Sequence, residues 1–412
     1  MSRHYWWQLW KRLLLWIYVT SVVGLYAYAW WHAPFSKKDR AQIKKLANQP
    51  FVSSDDCTAH PTVSVIIPAR NEEQNIHRCV TSLLAQVDVH YEIIVVDDGS
   101  TDNTSHILNT IERFHPSKDL LRILHVQELP KGWAGKPHAL HMGVQKARGE
   151  WFLFTDADTW HSPTALRTVL TLAKDGHIDL LTLGTKQELI TFWERVMMPM
   201  AYLALSIRFP IKSLNNPNST MASANGQYIL IRRSTYESVG GFKRPDLRSA
   251  ILDDVELGRV VKGNGFHLHF MDGGDLVHVR MYRGLYEAWQ GWLKSAFLTN
   301  RGGLLTALRE LLALLAFNVF PFIFLFLAII PKKRYCTNCK SNEMYIATSI
   351  EMTALLAYRI WMNKMLDIPW YYIFTHMLAA LLFAGILVQA TWNALIGRGL
   401  KWRNRLYAFN PK

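Results

Sequence analysis

Two carboxylates separated by one residue, Asp156 and Asp158, follow the apolar run of residues 151–154. Hard divalent cations such as Mg²⁺ or Mn²⁺ take oxygen ligands from one or two carboxylates together with the oxygens of a substrate phosphate. A metal bound in this way can stabilise a diphosphate as it leaves. Two acids at this spacing are a common pattern, but at the end of a buried strand they predict a metal site.

Two further polar clusters follow apolar runs, one after residues 63–67 and one after residues 92–96. Their members are Pro68, Arg70, Asn71 and Glu72 in the first cluster and Asp97 and Asp98 in the second. Each cluster alone could be an ordinary turn, because such residues dominate turns. Asp97 and Asp98 could accept hydrogen bonds from a ribose or a base, or Asp98 or Ser100 could cap a helix. Three such clusters at one sheet edge favour a ligand site.

A later acidic pair, Asp253 and Asp254, precedes Glu256 and Leu257. A carboxylate at the start of a helix is suited to removing a proton from an acceptor hydroxyl. The alternative is a helix N-terminus, where acidic residues are favoured without any role in chemistry.

The elements that would position these acids alternate along the chain. Residues 63–67 and 92–96 are nearly continuous apolar runs, as parallel strands buried on both faces require. Helical stretches are predicted at 76–86 and 103–114. Alternating strands and helices predict an α/β fold with a doubly wound sheet, in which ligands bind beyond the carboxyl ends of the strands.

Apolar stretches on both sides of this region are long enough to cross a bilayer. Residues 13–31, 371–390 and 311–330, the last interrupted by Pro321, are predicted spans, and residues 346–362 are a weaker one. The sequence therefore predicts an anchor at 1–36, a catalytic domain at 62–300 and a membrane region with two or three spans at 301–412. The start of the chain could instead be a cleaved signal peptide, but its apolar run continues past the weak cleavage site.

The net charge of +14 could indicate nucleic acid or an anionic membrane as a partner. We prefer the membrane, because basic clusters such as residues 37–40 and 332–334 flank apolar runs and no nucleic-acid motif is present. More basic residues follow the first span than precede it, which predicts that the catalytic domain faces the cytoplasm. Cys336 and Cys339 are interpreted as loop thiols, since no further zinc ligands accompany them.

The motifs together resemble family 2 glycosyltransferases. Residues 63–71, residues 95–102, the Asp156/Asp158 pair and the Asp253–Asp254 step occur in the order of that family. The resemblance implies a nucleotide-sugar-binding domain of the glycosyltransferase A type, flanked here by transmembrane helices. It also implies inverting transfer from a nucleotide sugar with a divalent metal, Mg²⁺ or Mn²⁺.

A narrower resemblance is to the branch that glycosylates carotenoids and other membrane terpenoids. Residues 129–140, 192–195, 280–283 and 401–407 carry it. Hopanoid-associated and ceramide glycosyltransferases are similar at a greater distance. This resemblance implies that Lys136 approaches the nucleotide diphosphate, as suits a lysine point charge, although a solvated loop charge is its alternative reading.

The resemblance also implies a set of site residues. In that set Asp254, or Asp253, is the base, and Asp156 and Asp158 bind the metal. The acceptor side comprises Gln290, Trp292 and Lys294. The residues that bind the donor are Pro68, Arg70, Asn71, Glu72, Asp97, Asp98, Lys136 and Asp156. The Arg-Trp step found in processive and ceramide-type relatives is absent after Gln290, which argues against a polysaccharide synthase. The alternative is that Gln290, Trp292 and Lys294 belong to an amphipathic helix that lies on the membrane surface.

The predicted function is transfer of a sugar from a nucleotide sugar, UDP-glucose by preference, to a carotenoid or related terpenoid in the bilayer. A polyprenyl phosphate, diacylglycerol or ceramide is the alternative acceptor. The alternative from another class is a non-catalytic membrane scaffold or sensor.

Overall fold

The computed structural model describes residues 3–49, 61–299, 303–329, 340–398, 400–402 and 405–407. Residues 332–334, Cys336 and Cys339 lie outside this part of the chain. The chain forms two compact units. The sheet unit comprises Pro34–Glu188 and Ile211–Met281, and the helical unit comprises Met1–Ala33, Leu189–Pro210 and Tyr282–Lys412.

Twelve strands occur in the described residues. They are β1 Val63–Ala69, β2 Tyr91–Asp97, β3 Leu121–His125, β4 Trp151–Phe154, β5 Thr159–His161, β6 Leu180–Gly184, β7 Lys186–Gln187, β8 Ile229–Arg232, β9 Leu268–Asp272, β10 Val277–Val279, β11 Leu400–Trp402 and β12 Arg405–Tyr407. The last two form an antiparallel pair in the helical unit.

Sixteen α-helices occur in the same residues. They are α1 Arg3–Trp31, α2 Lys37–Ala47, α3 Ile76–Leu84, α4 Thr104–Phe114, α5 Gly135–Lys146, α6 Ala165–Asp175, α7 Phe192–Arg208, α8 Ile211–Leu214, α9 Arg233–Ser238, α10 Pro245–Arg248, α11 Asp253–Gly263, α12 Leu285–Thr299, α13 Gly303–Asn318, α14 Phe320–Ile329, α15 Lys340–Met365 and α16 His376–Leu395. Short 3₁₀ helices occur at Lys118–Leu120, Gly241–Lys243 and Trp370–Thr375.

The main sheet of the sheet unit has seven strands in the order β3-β2-β1-β4-β8-β6-β9. Strands β1, β2, β3 and β4 are parallel to one another, whereas β8 runs antiparallel to β4 and β6. The prediction of an α/β fold is confirmed, with β8 as an antiparallel insertion. A smaller sheet has the order β5-β10-β7.

The two faces of β1 and β2 pack into different cores. Val65 and Ile93 belong to a cluster with residues of α3 and α6, whereas Ile66 and Ile94 belong to a cluster with residues of α5 and α11. Successive side chains of a strand point to opposite faces, so a continuous apolar run is what a sheet covered on both sides requires. Burying each such side chain contributes about 1.5–3 kcal/mol.

The register of the parallel strands brings their carboxyl ends to one edge. Ala69 of β1 pairs with Asp97 of β2, and Ile66 of β1 pairs with Phe154 of β4. The polar clusters that follow these strands therefore leave the sheet at the same edge.

Among its described residues, the helical unit contains two helices long and apolar enough to cross a membrane, Leu9–Trp31 and Trp370–Leu395. Helices Gly303–Asn318 and Phe320–Leu327 pass the same test as a pair bent by 42°, which would make a third span. The bend lies next to Pro321, whose ring cannot continue the hydrogen bonding of a helix. These helices indicate association with a membrane. Helix α15, predicted as the weaker stretch, is not among these candidates.

Candidate active site

The turn after β1 is joined to the loop after β2 by a set of hydrogen bonds. Asn71 has a left-handed backbone (φ 54°), which asparagine tolerates better than most residues. Its Oδ1 accepts from the Thr101 amide at 2.8 Å, and its own amide donates to Ser100 Oγ at 3.1 Å. Arg70 Nη1 donates to the carbonyl oxygen of the buried Asp98 at 2.5 Å. The two polar clusters predicted from the sequence are therefore in contact.

The carboxylate of Asp97, at the end of β2, is held by protein donors. Asp97 is 2% exposed. Its Oδ1 accepts from the Ser100 amide at 3.0 Å, and its Oδ2 accepts from Ser105 Oγ and lies 3.3 Å from His125 Nδ1. Each carboxylate oxygen has two lone pairs, so a ligand donor can still be accepted.

The two other donor-side residues of the first cluster differ in exposure. Glu72 is buried; its amide donates to Thr104 Oγ1 at 2.7 Å and its Oε2 accepts from Asn75 Nδ2 at 2.9 Å. These contacts give Glu72 a structural task in joining the turn to α4. Pro68 is half-buried near the end of β1.

Asp156 and Asp158 lie in the turn between β4 and β5, and both are half-buried. Backbone bonds fix the turn: the Asp156 carbonyl accepts from Thr159 Oγ1 at 2.7 Å, and the Asp158 carbonyl accepts from the Arg280 amide at 3.4 Å. Within the described residues, no group of three or more acidic, histidine or cysteine side chains is arranged to hold a metal ion. Two carboxylates fit Mg²⁺ or Mn²⁺ when a substrate diphosphate supplies further oxygen ligands.

Lys136, the second residue of α5, joins the turn that contains Asp156 to the later acidic pair. Its Nζ lies 2.6 Å from Asp156 Oδ1 and 3.9 Å from Asp253 Oδ2. Burial opposes the charge of Lys136, but Asp156, Asp253 and Asp254 together raise the pKa of its ammonium group above the usual range. Lys136 therefore carries a positive charge and lies between these acids. The sequence alone did not predict that the lysine and the three acids meet.

Asp253 is the more enclosed of the two acids at the start of α11, with 5% of its surface exposed. Burial raises the pKa of its carboxyl group to about 7, and the neighbouring Asp254 and Asp156 add to the effect while Lys136 opposes it. Each added negative charge in this group therefore makes ionisation of Asp253 harder.

Asp254 is half-buried and is oriented by two backbone amides. Its Oδ2 accepts from the Gly226 amide at 2.9 Å, and its Oδ1 accepts from the Val255 amide at 2.8 Å. Leu252 occupies the N-cap, so Asp253 and Asp254 are the first helical residues and neither is the capping residue.

The site therefore groups acids and one lysine at the carboxyl edge of an α/β sheet. A family model described as glycosyl transferase family 2 matches residues 64–240. The chain is a glycosyltransferase. This glycosyltransferase is 25% identical over 357 residues to 4,4'-diaponeurosporenoate glycosyltransferase of Staphylococcus aureus (strain USA300), with 86% of this chain and 90% of the relative covered.

Among solved structures, a mannosyltransferase from Pyrobaculum calidifontis in complex with GDP-Man and Mn²⁺ has a TM-score of 0.51 to this glycosyltransferase. It is 18% identical, and the alignment covers 93% of this chain and 98% of that one. At this identity the likeness shows that the two proteins share a fold.

The residues predicted for the acceptor side belong to the helical unit of this glycosyltransferase. Gln290, Trp292 and Lys294 lie on α12 and are half-buried. The Trp292 ring packs near the rings of Tyr282 and Phe383, at centroid distances of 6.2 and 5.8 Å. The residues predicted for the donor side and those predicted for the acceptor side therefore belong to different compact units.

Gly226 is a site residue that the sequence analysis missed. A Cβ at this position would lie 2.8 Å from Lys136 Nζ and 3.1 Å from Asp254 Oδ2. A side chain at this position would therefore require the Lys136 ammonium group or the Asp254 carboxylate to move away from the Gly226 amide. The flanking Asn225 and Gln227 fix the segment, with Asn225 Nδ2 donating to the Leu183 carbonyl at 2.8 Å and the Gln227 carbonyl accepting from Thr155 Oγ1 at 2.8 Å.

We expect Gly226→Ala to lower kcat of the glycosyltransferase by about 10- to 100-fold, because a displacement of about 1 Å in a catalytic group has effects of this size. Steady-state kinetics of the purified variant would measure the change. Gly263→Ala in α11 is the matched control, since a Cβ there meets nothing within 4 Å. Equal activity of the Gly226→Ala variant and the wild type would show that the close approach at Gly226 has no catalytic importance.

Proposed function

We propose that this glycosyltransferase transfers a sugar from a nucleotide sugar, with inversion at the anomeric carbon, to a lipid acceptor in the membrane. The observation that carries the proposal is the grouping of Lys136 with Asp156, Asp253 and Asp254 at the carboxyl edge of the sheet. In this group the Lys136 cation lies between Asp156, a candidate metal ligand, and Asp254, the candidate base. Such an arrangement suits a reaction in which an anionic leaving group departs while a proton is removed from the acceptor.

The donor is a nucleotide sugar, and UDP-glucose is our first candidate. Among the described side chains none caps the first turn of α5, and Lys136 is the second residue of that helix. Free amides at a helix N-terminus and an adjacent lysine are suited to a diphosphate. Arg70, Asn71 and the Asp97–Asp98 step would hold the nucleoside. The Pyrobaculum mannosyltransferase that shares the fold binds GDP-Man.

Asp156 and Asp158 would hold Mg²⁺ or Mn²⁺ together with oxygens of the donor diphosphate. When bound, such an ion supplies Lewis-acid stabilisation of the charge on the departing nucleoside diphosphate. Lys136 would add a second positive charge on the same side, because the surrounding acids keep the pKa of its ammonium group high.

Asp254 is the proposed base. It would accept the proton of the acceptor hydroxyl or carboxyl group as the acceptor oxygen forms a bond to the anomeric carbon and the bond from that carbon to the diphosphate breaks. The Gly226 and Val255 amides fix the orientation of the Asp254 carboxylate. The more buried Asp253 would keep Lys136 in position.

The proposed acceptor is a carotenoid or a related terpenoid. The Staphylococcus aureus relative is a 4,4'-diaponeurosporenoate glycosyltransferase. Extracting such a lipid from the bilayer costs about 0.8 kcal/mol for each CH₂ exposed to water, so an enzyme with its own membrane helices avoids a large penalty. We further propose a multi-pass protein whose catalytic unit faces the cytoplasm, as the basic residues of α2 favour.

The metal requirement supplies a direct test of the donor side. We expect EDTA treatment of the purified full chain to abolish sugar transfer, and Mg²⁺ or Mn²⁺ to restore it, because without the ion the two carboxylates would repel the diphosphate. Transfer from radiolabelled UDP-glucose to extracted membrane lipids is the readout, with GDP-mannose and UDP-N-acetylglucosamine as alternative donors. Full activity after chelation would exclude the metal role, and activity with another donor alone would exclude glucose.

A further inference from the structure

The helical unit contains a buried polar cluster to which three apolar segments contribute. Tyr26 of α1 donates its hydroxyl hydrogen to Asn318 Oδ1 at 3.0 Å, and His376 Nε2 lies 3.2 Å from the same oxygen. All three side chains are at most 3% exposed. Each lies in or beside a candidate membrane span, where a buried polar residue is costly unless it serves structure or function.

Arg359 of α15 extends this set of polar residues and is itself 1% exposed. Its Nη2 donates to the carbonyl oxygens of Arg195 and Tyr372, each at 3.4 Å, and to Thr375 Oγ1 at 3.3 Å. These neutral acceptors are close to the upper limit of hydrogen-bond distance. The guanidinium group is thus oriented by its neighbours without being neutralised by them.

Two further nitrogens of the same guanidinium group, Nε and Nη1, have no hydrogen-bond acceptor among the described residues. No described carboxylate forms an ion pair with Arg359. Glu351, an acid on the same helix, is eight residues away, which corresponds to about 12 Å along an α-helix. Buried charges in folded proteins are almost always paired, so a buried arginine without an ion-pair partner among the described residues requires an explanation.

We propose that Arg359 forms a binding site for the anionic headgroup of a lipid, with a carboxylate or phosphate oxygen accepting from Nε and Nη1. The planar guanidinium fork matches both kinds of anion. Aromatic residues at the ends of the surrounding segments are strongly exposed: Trp30 and Trp31 of α1, and Trp370 and Phe374 of the neighbouring 3₁₀ helix. Exposed aromatics of this kind mark the level of the lipid headgroups.

The ligand is a lipid rather than a free anion, because the elements that surround Arg359 are apolar helices with exposed aliphatic side chains. Leu378 and Leu381 of α16 and Ile360 of α15 are among these exposed residues. Carboxylate and phosphate lipids share the chemistry that the site recognises. The site goes beyond the proposed sugar transfer, and its occupancy does not depend on that reaction.

The test uses the full chain in nanodiscs of phosphatidylcholine alone, with added phosphatidylglycerol, or with added oleate. Native mass spectrometry measures the apparent Kd of each anionic lipid at high salt, where exposed charges are screened. We expect the wild type to retain one anionic lipid, and Arg359→Gln to weaken its binding at least about tenfold. Arg359→Lys is expected to retain part of the affinity. Binding of phosphatidylglycerol alone, of oleate alone or of both would each support the site and would identify the headgroup.

Arg208→Gln is the matched control, because it removes the same charge from a partly exposed position near Glu310 in the same unit. Equal loss of lipid from the Arg359→Gln and Arg208→Gln variants, or no loss from either, would overturn the proposal. If Arg359→Gln does not fold, the midpoint of thermal unfolding of the wild type tests the proposal instead. It should rise with an anionic lipid over phosphatidylcholine alone at high salt, and equal midpoints would refute the site.

Discussion

Asp158→Ala is expected to lower kcat for sugar transfer by a factor on the order of 10³ or more. Removing one of two metal carboxylates forfeits several kcal/mol of stabilisation of the leaving diphosphate, and each 1.36 kcal/mol corresponds to about a tenfold change in rate. The fold should survive, because the Asp158 contact that fixes the turn is made by its backbone carbonyl with the Arg280 amide. Single-turnover kinetics with labelled donor would measure the loss, and circular dichroism would confirm folding.

Asp275→Ala is the control for this variant. Its carboxylate is 81% exposed and pairs with Lys186 in the same unit, and exposed pairs contribute at most about 1 kcal/mol. Wild-type kcat is therefore expected for Asp275→Ala. An Asp158→Ala enzyme that is folded and retains wild-type kcat would remove Asp158 from the metal site.

Asp254→Asn should lower the rate of transfer by about 10²–10⁴-fold, the usual contribution of a positioned general base. The amide is nearly isosteric and its oxygen can still accept from the Gly226 amide, so the helix start and the donor site should remain intact. We therefore expect donor affinity, measured by calorimetry with UDP-glucose, to change little while transfer is lost.

The variant Asp253→Asn separates the two acids of the pair. Asp253 lies 3.9 Å from Lys136 and is nearly buried, so its loss should weaken donor binding more than the chemical step. Normal transfer by Asp254→Asn, with loss of transfer in Asp253→Asn at unchanged donor affinity, would assign the base to Asp253 instead.

Local sequence patterns were enough to predict the elements next to the three polar clusters at the sheet edge. Strands β1, β2 and β4 and helices α3 and α4 occur where the apolar runs and the period of the helices predict them, because the strands are buried on both faces and each helix buries one face. The carboxyl edge follows from the parallel register, which the apolar runs also indicate.

The features that depend on distant contacts were not predictable in this way. The antiparallel direction of β8 and the packing of α7 with the apolar helices depend on which segments meet in space. Lys136, Asp156 and Asp253 are brought together from three separate elements, and the sequence alone assigned the lysine only by resemblance. Gly226 carries no chemical group, so its importance is visible only in the distances around it.

The central proposal is that the sugar of a nucleotide sugar becomes covalently attached to a membrane lipid. Its most direct test is mass spectrometry of the lipids after the purified full chain, in nanodiscs containing bacterial terpenoid lipids, is incubated with isotopically labelled UDP-glucose and Mg²⁺. We predict a terpenoid product whose mass increases by one labelled hexose in the wild type and not in the Asp158→Ala variant. Release of the labelled sugar into water with no labelled lipid, or labelled lipid of equal amount in both enzymes, would contradict it.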